Sequence, residues 1–288
     1  MFSGAITAMI TPFRNGRIDE AVLREQIEYQ IASGIDGLVP VGTTGESPTL
    51  DFAEHKRVIQ ITVETARKRV PVIAGTGANA TSEALELHAY AREVGADACL
   101  SVVPYYNKPT QEGIYRHFMT LADKVDLPMV LYNVPGRTGV SISPQTVARL
   151  AAHRNIVAIK EASGSLDQAS EIRSLCDITI LSGDDSLTVP LISVGAAGVI
   201  SVLSNLLPAE MRKLTRLALD GRRSEAEALH RRLFPLMKAM FIEGNPVGIK
   251  CAMKIAGRDS GELRLPLWEA GEATRKHIAG LMAQLGIS

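Results

Sequence analysis

Short apolar segments alternate with amphipathic segments from the N-terminus to about residue 220. The apolar segments are four to seven residues long and rich in Val, Ile and Leu, which is typical of buried strands. Eight strands are predicted: Ala5–Ile10, Gly37–Val41, Val70–Ala74, Ala98–Val103, Pro128–Val134, Ile156–Lys160, Ile178–Leu181 and Gly198–Leu203.

A polar loop and a helical pattern follow each predicted strand. Eight such units with nearly continuous apolar strands predict an α/β fold in which a parallel sheet closes into a (β/α)8 TIM barrel. A doubly wound open sheet is the alternative, and six strands rather than eight would favour it. In a barrel, the chemistry takes place at the carboxyl ends of the strands. The loops after the strands are therefore the place to search for a site.

Helix-capping signals support the same division of the chain. Asp19 is placed to cap the first helix, and Asp51 with Glu54 forms a capping box for the second. After residue 222 only helical patterns remain, and they are interrupted at residues 244–246, Gly-Asn-Pro. The sequence therefore predicts a barrel over residues 1–222 and a C-terminal helical segment over residues 223–288.

Charge and cysteine content narrow the classes of function. The 288 residues contain 31 basic and 31 acidic side chains, so no excess of positive charge favours nucleic acid as a partner. The six histidines show no metal-binding spacing, so we expect no catalytic metal. Three widely separated cysteines predict buried thiols in a reducing compartment: Cys99, Cys176 and Cys251.

One uncharged stretch raises the question of a membrane. Residues 186–209 are long enough to span a bilayer, but Pro190, Gly195 and several serines interrupt them. A buried helix followed by a buried strand explains the stretch better. The N-terminus lacks the basic region and cleavage site of a signal peptide. We therefore expect a cytoplasmic protein without a membrane segment.

Lys160 ends the apolar strand that begins at Ile156. Desolvation by an apolar environment favours a neutral amine, and a neutral lysine amine condenses with carbonyl groups. The alternative is an ordinary lysine that reaches water or pairs with the adjacent Glu161.

The loop after the second predicted strand has the sequence Gly42-Thr43-Thr44-Gly45-Glu46-Ser47. Its two glycines allow a tight turn in which backbone N–H groups and hydroxyls face one anion. The Gly-Lys-Ser/Thr ending of a nucleotide phosphate loop is missing, so a carboxylate is the better ligand. An ordinary capped turn is the alternative.

Four aromatic or basic side chains lie in or just after the ends of the fourth and fifth predicted strands. Tyr132 on the fifth strand should lie beside Lys160 on the sixth, because neighbouring strands are about 5 Å apart. A phenol in that position can transfer the protons that imine formation requires. Arg137 can hold a second carboxylate through two parallel hydrogen bonds. Tyr105 and Tyr106 are a pair more typical of an interface than of catalysis.

A competing motif occurs at residues 75–80, Gly-Thr-Gly-Ala-Asn-Ala. It follows a strand, precedes a helix and has Asp97 about twenty residues further on, as in a dinucleotide-binding fingerprint. A dehydrogenase would use this motif, but it would leave the lysine, the tyrosine and the double-threonine loop without a role.

Taken together, these motifs resemble the dihydrodipicolinate synthase family over essentially the whole chain. The matching segments are Gly-Thr-Thr-Gly-Glu at 42–46, Tyr-Tyr-Asn at 105–107, Tyr-Asn-Val-Pro-x-Arg-Thr-Gly at 132–139 and Ile-Lys-Glu-Ala at 159–162. The resemblance implies a (β/α)8 barrel assembled as a homotetramer, a dimer of dimers. It also implies condensation of pyruvate with L-aspartate 4-semialdehyde on the diaminopimelate route to lysine, without a cofactor.

The resemblance also assigns roles to individual residues. Lys160 would form the Schiff base, Tyr132 would transfer protons, and Thr43 would link Tyr132 to Tyr106 of the adjacent subunit. The substrate contacts implied are Thr44, Gly183 and Ile200 for the pyruvate carboxylate and Arg137 for the semialdehyde carboxylate.

Some family members are inhibited by lysine at the dimer interface. The positions that match this allosteric site are Ser47, His55, Asn79, Glu83 and Tyr105. Phe52 stands where sensitive members often carry a histidine, and Pro48 differs from some of them. We therefore expect L-lysine to inhibit, with a strength that Phe52 changes.

Two further alternatives share the barrel. A sister Schiff-base lyase, such as N-acetylneuraminate lyase or a keto-deoxy sugar-acid aldolase, would have the lysine and tyrosine but typically no arginine at position 137. A non-catalytic regulator on the same barrel would not need the complete set of motif residues.

Overall fold

The computed structural model describes residues 2–287, and its centre is a single parallel sheet of eight strands. The strands are β1 (Gly4–Ala8), β2 (Gly37–Val39), β3 (Ile73–Gly75), β4 (Ala98–Val102), β5 (Met129–Asn133), β6 (Ile156–Glu161), β7 (Thr179–Ser182) and β8 (Gly198–Ser201). Neighbours in the sheet follow the order β2, β1, β8, β7, β6, β5, β4, β3.

The two end strands of this order, β2 and β3, also meet. Leu38 and Val72 form a parallel bridge. The Leu38 N–H donates to the Pro71 carbonyl at 2.9 Å, and the Gly75 N–H donates to the Pro40 carbonyl at 3.0 Å. The sheet is therefore closed, which confirms the predicted (β/α)8 barrel. The open doubly wound sheet is wrong.

Eight helices follow the strands and cover the outside of the barrel. They are α1 (Glu20–Ala32), α2 (Phe52–Ala66), α3 (Thr81–Glu93), α4 (Gln111–Lys124), α5 (Pro144–Ala151), α6 (Leu166–Leu175), α7 (Thr188–Ser193) and α8 (Pro208–Leu219). Both predicted caps are present. The Asp19 carboxylate accepts from the Val22 N–H, and Asp51 forms a reciprocal capping box with Glu54.

Only helices follow β8 in the described part of the chain. They are α8 and then α9 (Arg223–Ala239), α10 (Val247–Ile255) and α11 (Glu272–Gln284). The interval between α9 and α10 contains Gly244, Asn245 and Pro246, as the sequence pattern predicted. Helix α9 packs against α8, and α11 packs against both α9 and α10. The division into domains at residues 222 and 223 stays a prediction.

The apolar side chains form two cores that the strands separate. Inside the barrel lies a small cluster: Ile6, Ala8, Val39, Ile73, Ala98, Leu100, Val130, Tyr132, Val134, Ala158, Leu181 and Ile200. The larger core lies between the strands and the helices and includes Phe13, Leu23, Ile59 and Phe118. Because successive side chains on a strand point to opposite faces, each strand supplies both cores.

The glycines of the motif at residues 75–80 have a packing role. A Cβ on Gly75 would lie 2.3 Å from the Val41 carbonyl oxygen, and one on Gly77 would lie 2.4 Å from the Val102 nitrogen. Glycine is thus required for the close approach of neighbouring strands and loops.

Asp97 is remote from this loop. It precedes β4, where its carboxylate accepts from the Val72 N–H at 2.9 Å and from the Lys68 ammonium at 2.7 Å. These contacts are at the amino end of the barrel, whereas residues 75–80 follow the carboxyl end of β3. The geometry therefore contradicts the dinucleotide-binding interpretation of this motif.

Several smaller expectations need correction. Strand β3 begins at Ile73 rather than Val70, and Leu203 belongs to a 3-10 turn after β8 rather than to the strand. Of the three free cysteines only Cys99 is buried, while Cys176 and Cys251 are half-buried. Within residues 2–287, no helix is long and apolar enough to cross a membrane.

Candidate active site

Lys160 lies inside the barrel near the carboxyl end of β6. It is paired in register with Tyr132 on β5 and with Leu181 on β7. Its Nζ lies 4.2 Å from the centroid of the Tyr132 ring. The two side chains are 5% and 7% exposed, so both are removed from bulk water. The prediction that Tyr132 lies beside Lys160 is confirmed.

Glu161 points to the opposite face of the same strand. Its carboxylate accepts from the Ser163 N–H at 2.7 Å, from Asn133 Nδ2 at 3.1 Å and from Gln168 Nε2 at 3.3 Å. Burial raises the pKa of this carboxyl group, and these donors oppose the rise. The alternative in which Glu161 neutralises Lys160 is therefore wrong.

No carboxylate oxygen of the described residues lies within 4.0 Å of the Lys160 Nζ. Lys250 is a useful comparison, since it is also buried but lies 2.6 Å from Glu46. Burial lowers the pKa of Lys250, and the charge of Glu46 opposes that lowering. Of these two buried lysines, only Lys250 has a carboxylate within 4.0 Å, whereas Lys160 lies against the ring of Tyr132.

Gly183 provides the space around the lysine. A Cβ at this position would lie 3.1 Å from Lys160 Cε and 2.5 Å from Ala162 Cβ. Any larger residue at position 183 would push against the amine-bearing side chain. Burial raises the pKa of the adjacent Asp184, and the charge of Lys160 opposes that rise. The end of β7 therefore lies against the lysine, as the sequence predicted for Gly183.

The loop of residues 42–46 is a compact turn after β2. The Gly42 carbonyl accepts from the Gly45 N–H at 3.0 Å, and the Thr43 carbonyl accepts from the Glu46 N–H at 3.1 Å. Val41 and Glu46 both have left-handed backbones, with φ of +49° and +56°. Strain of this kind in residues with side chains persists only where the surroundings hold it.

Asn245 connects this loop to the arginine predicted to bind substrate. Its Nδ2 donates to Thr44 Oγ1 at 2.9 Å, and its carbonyl accepts from Arg137 Nη2 at 3.2 Å. Thr44 is buried and Arg137 is exposed. Asn245 thus fixes the distance between the two groups that the sequence assigns to two different carboxylates.

A cavity of about 940 Å³ opens at this end of the barrel. It is lined by Thr43, Ser47, Pro48, Gly77, Val102, Tyr105, Tyr106, Lys108, Val134, Arg137, Thr138 and Gly139. The volume suits one or two small organic acids. Thr43, Tyr106 and Arg137 thus share one cavity, which four separate segments of the chain form.

Tyr106 is unusual because its side chain is 88% exposed and its φ is +72°. The loop around it is fixed, since Asn107 Nδ2 donates to the Asn79 carbonyl at 2.9 Å. A large aromatic side chain that is held in place and left in water is typical of a residue that enters a partner surface.

The five residues assigned to lysine binding divide into two groups. Tyr105, Asn79 and Glu83 form one group, because Glu83 and the Asn79 backbone both act on the Tyr105 hydroxyl. Burial and the charge of Glu83 raise the pKa of Tyr105, and a hydrogen bond with the Asn79 backbone opposes the rise. Ser47 shares the cavity with Tyr105. His55 is buried, and its Nε2 lies 2.7 Å from the Gly75 carbonyl. Burial lowers the pKa of His55.

Sequence reasoning missed the buried polar groups that support these side chains. Asn133 donates to the Glu161 carboxylate and so connects the ends of β5 and β6. Asn245 donates to Thr44 in the loop of residues 42–46, called the threonine loop below. Asp185 follows β7, and its Oδ2 accepts from the Val202 and Leu203 N–H groups at 3.1 and 2.9 Å. In the sequence, the only indication of these supporting groups was a polar residue in or near a motif.

The fold and the site define a closed (β/α)8 barrel equipped with a buried lysine–tyrosine pair for carbonyl chemistry. The chain belongs to the dihydrodipicolinate synthetase family, whose sequence model matches residues 1–285. This confirms the family predicted from the motifs.

Proteins of this family are similar to the chain over their full lengths. The chain is 54% identical to a 4-hydroxy-tetrahydrodipicolinate synthase of Geotalea uraniireducens, over 100% of both chains. A crystal structure of a dihydrodipicolinate synthase superposes with a TM-score of 0.99 at 50% identity, covering 100% of both chains.

Two further crystal structures contain small molecules. The Acinetobacter baumannii dihydrodipicolinate synthase, complexed with pyruvate, has a TM-score of 0.98 at 41% identity, covering 100% of both chains. The Cyanidioschyzon merolae enzyme, with lysine bound, has a TM-score of 0.97 at 38% identity, covering 100% of this chain and 99% of that one.

Asp185 allows a prediction about pH. Burial raises the pKa of its carboxyl group in the folded state, and the Ser201 hydroxyl and two backbone donors oppose the rise. The folded state therefore prefers the protonated form. This stability is fully present below the unfolded pKa and is lost as pH rises through the folded pKa.

We expect Asp185→Asn, which keeps an acceptor for both N–H groups, to be more stable than the wild type at pH 7 and to lose this advantage near pH 3. The gain is about 1.4 kcal/mol for each unit by which the folded pKa is raised. Urea unfolding at several pH values measures it, with the exposed Asp177→Asn as control. A gain that does not change with pH would contradict the prediction.

Proposed function

We propose that this protein condenses pyruvate with L-aspartate 4-semialdehyde to give 4-hydroxy-tetrahydrodipicolinate, in the diaminopimelate route to lysine. The observation that carries the proposal is Lys160, buried next to Tyr132 with no carboxylate partner among the described residues. Membership of the dihydrodipicolinate synthetase family supports the choice of reaction. The names of the relatives give the product, and the substrate pair is the one that the family resemblance implies.

The chemistry begins with attack of the Lys160 amine on the C2 carbonyl of pyruvate. A carbon–nitrogen bond forms and the carbonyl oxygen leaves as water, which needs proton transfers in both directions. Tyr132 is the group placed beside the amine for those transfers. The protonated imine then withdraws electrons, so a methyl proton leaves and an enamine forms.

The enamine carbon attacks the aldehyde of the second substrate, and the new alkoxide takes up a proton. The amino group of the former semialdehyde then attacks the imine carbon. This step closes the ring and releases the Lys160 amine unchanged, so every atom is accounted for without an oxidant or a reductant.

The carboxylates of the two substrates have different proposed sites. The pyruvate carboxylate binds the Thr43–Thr44 turn, near the backbone of Gly183 and Ile200. The semialdehyde carboxylate binds Arg137 at the cavity mouth. A planar guanidinium suits a carboxylate because it donates two parallel hydrogen bonds.

Trapping tests the nucleophile directly. With pyruvate and borohydride, we expect one reduced pyruvyl adduct per chain, located on Lys160 by peptide mass spectrometry. Lys160→Met should abolish both the adduct and turnover, whereas Lys254→Met, at an exposed lysine, should keep both. An adduct on Lys250, or an unchanged intact mass, would disprove the assignment.

Arg137 should determine which aldehyde reacts. Arg137→Ala removes charge-assisted hydrogen bonds of about 1.5–3 kcal/mol, so KM for the semialdehyde should rise roughly 10- to 100-fold while pyruvate trapping is retained. Arg149→Ala, at an exposed arginine stacked on Tyr115, is the control. Turnover of N-acetylneuraminate but not of the semialdehyde would favour a sister lyase instead.

We also propose that the protein works as an oligomer in which Tyr106 of one subunit completes the site of another through Thr43. The support is its 88% exposure on a fixed loop at the cavity mouth. A dimer of dimers and a cytoplasmic location stay predictions from the sequence.

Subunit mixing tests this sharing. Tyr106→Phe and Lys160→Met should each be nearly inactive, the first by about 10²- to 10⁴-fold through loss of a proton-transfer group. After subunit exchange in equal amounts, about a quarter of wild-type activity should return, because each mixed dimer contains one complete site. No recovery would mean that Tyr106 serves its own subunit.

Lysine inhibition is the last part of the proposal. Tyr105, Asn79 and Glu83 lie together, and Glu83 supplies a carboxylate for an ammonium group. Millimolar lysine should lower the initial rate, and Glu83→Gln should remove this response. Glu86→Gln on the same helix should retain it. A wild-type rate that does not change at saturating lysine would refute the allosteric assignment.

A further inference from the structure

The last residue of the threonine loop, Glu46, forms a fully buried ion pair with Lys250 of α10. The Glu46 Oε1 and Lys250 Nζ lie 2.6 Å apart, and both side chains are 0% exposed. Glu46 has the left-handed backbone that ends the turn, with a φ of +56°. The ion pair therefore acts at the residue that determines the direction of the loop.

Other contacts from the C-terminal segment reach the same point. The Arg264 N–H donates to Glu46 Oε2 at 3.1 Å, and Lys250 Nζ also donates to the Glu262 carbonyl at 2.7 Å. The Phe13 ring lies 4.2 Å from Lys250 Nζ. Asn245 adds a second connection to the loop through Thr44. The loop after β2 is thus held from residues about two hundred positions away in sequence.

Overall stability alone does not explain this pair. Two charges lose their hydration when they are buried, and replacing a buried ion pair with apolar groups is often neutral or stabilising. The pair does restrict the local conformation. Any arrangement that separates Glu46 from Lys250 leaves an unpaired charge at this depth, which is strongly unfavourable. The conformation so restricted includes the strained backbone of Glu46 and the turn before it.

We propose that Glu46 and Lys250 are positioning residues for the carboxylate of the 2-oxo acid substrate. The pair holds the turn so that the N–H groups and hydroxyls of Thr43 and Thr44 face that carboxylate, and it makes the C-terminal segment part of the binding site. The inference rests on the proposed function, because that function assigns the turn to pyruvate. Neither residue touches the reacting atoms.

The test is the double variant Glu46→Gln/Lys250→Met, which removes both charges and leaves none unpaired. Borohydride trapping is measured as a function of pyruvate concentration and, separately, of acetone concentration, since acetone has the carbonyl but no carboxylate. We expect half-saturation by pyruvate to rise about 10- to 100-fold, with acetone trapping unchanged. Circular dichroism reports whether the variant is folded.

The exposed pair Lys254 and Glu269, whose lysine is on the same helix as Lys250, provides the matched control, since Lys254→Met/Glu269→Gln should change neither trapping curve. If the double variant is folded and its pyruvate curve is that of the wild type, the inference is wrong. It is also wrong if pyruvate and acetone trapping fall together, because that pattern indicates a general structural role.

If the double variant does not fold, Glu46→Asp and Lys250→Arg keep both charges but change the distance between them. Each should shift the pyruvate curve in the same direction and leave the acetone curve unchanged, and unchanged pyruvate curves overturn the inference. Pyruvate trapping on the wild-type protein distinguishes the proposed function from the positioning role of Glu46 and Lys250. Failure to trap pyruvate on wild-type Lys160 contradicts the proposed function, whereas normal wild-type trapping with unaffected variants contradicts only the positioning role.

Discussion

The alternation of side chains along a parallel strand is the constraint on which the rest of this site depends. On β6, Lys160 points into the barrel and Glu161 points out, although the two residues are adjacent in sequence. The same alternation on β5 places Tyr132 beside the lysine and Asn133 beside the glutamate. A slip of one residue would exchange the two faces and place a carboxylate in the reactive interior. The Asn133–Glu161 contact outside the barrel is therefore part of what keeps the amine and phenol together inside it.

The two buried lysines show how the same residue type serves different purposes. Lys250 lies 2.6 Å from Glu46, whose charge opposes the lowering of the Lys250 pKa by burial. Lys160 has the Tyr132 ring beside it but no carboxylate oxygen within 4.0 Å among the described residues. Both charges are removed from water. What differs is the partner, which is a carboxylate for Lys250 and an aromatic ring for Lys160.

Much of this could be predicted from local sequence. All eight strands were located, and most of their ends were correct within two residues, because apolar periodicity and turn residues act over short distances. The one larger error, of three residues, is at the start of β3, where the apolar run begins at Val70 but the strand begins at Ile73. The glycine motif at residues 75–80 resembles a dinucleotide-binding fingerprint because both sequences contain a tight turn after a strand. Tight turns need glycine whatever they bind, and only the packing against Val41 and Val102 shows why these glycines are here.

The sequence by itself determined the fold class, the helix caps, the family and the side chains with candidate chemistry, since each is encoded within a few neighbouring residues. Tertiary structure alone decided that Glu161 turns away from Lys160 and that Asp97 lies at the other end of the barrel. It also decided that Asn245 and Lys250 reach the threonine loop. These contacts depend on barrel closure, which brings together residues that are far apart in the chain. A short-range pattern carries no information about which distant polar groups will be buried together, and that pairing sets the electrostatics of the site.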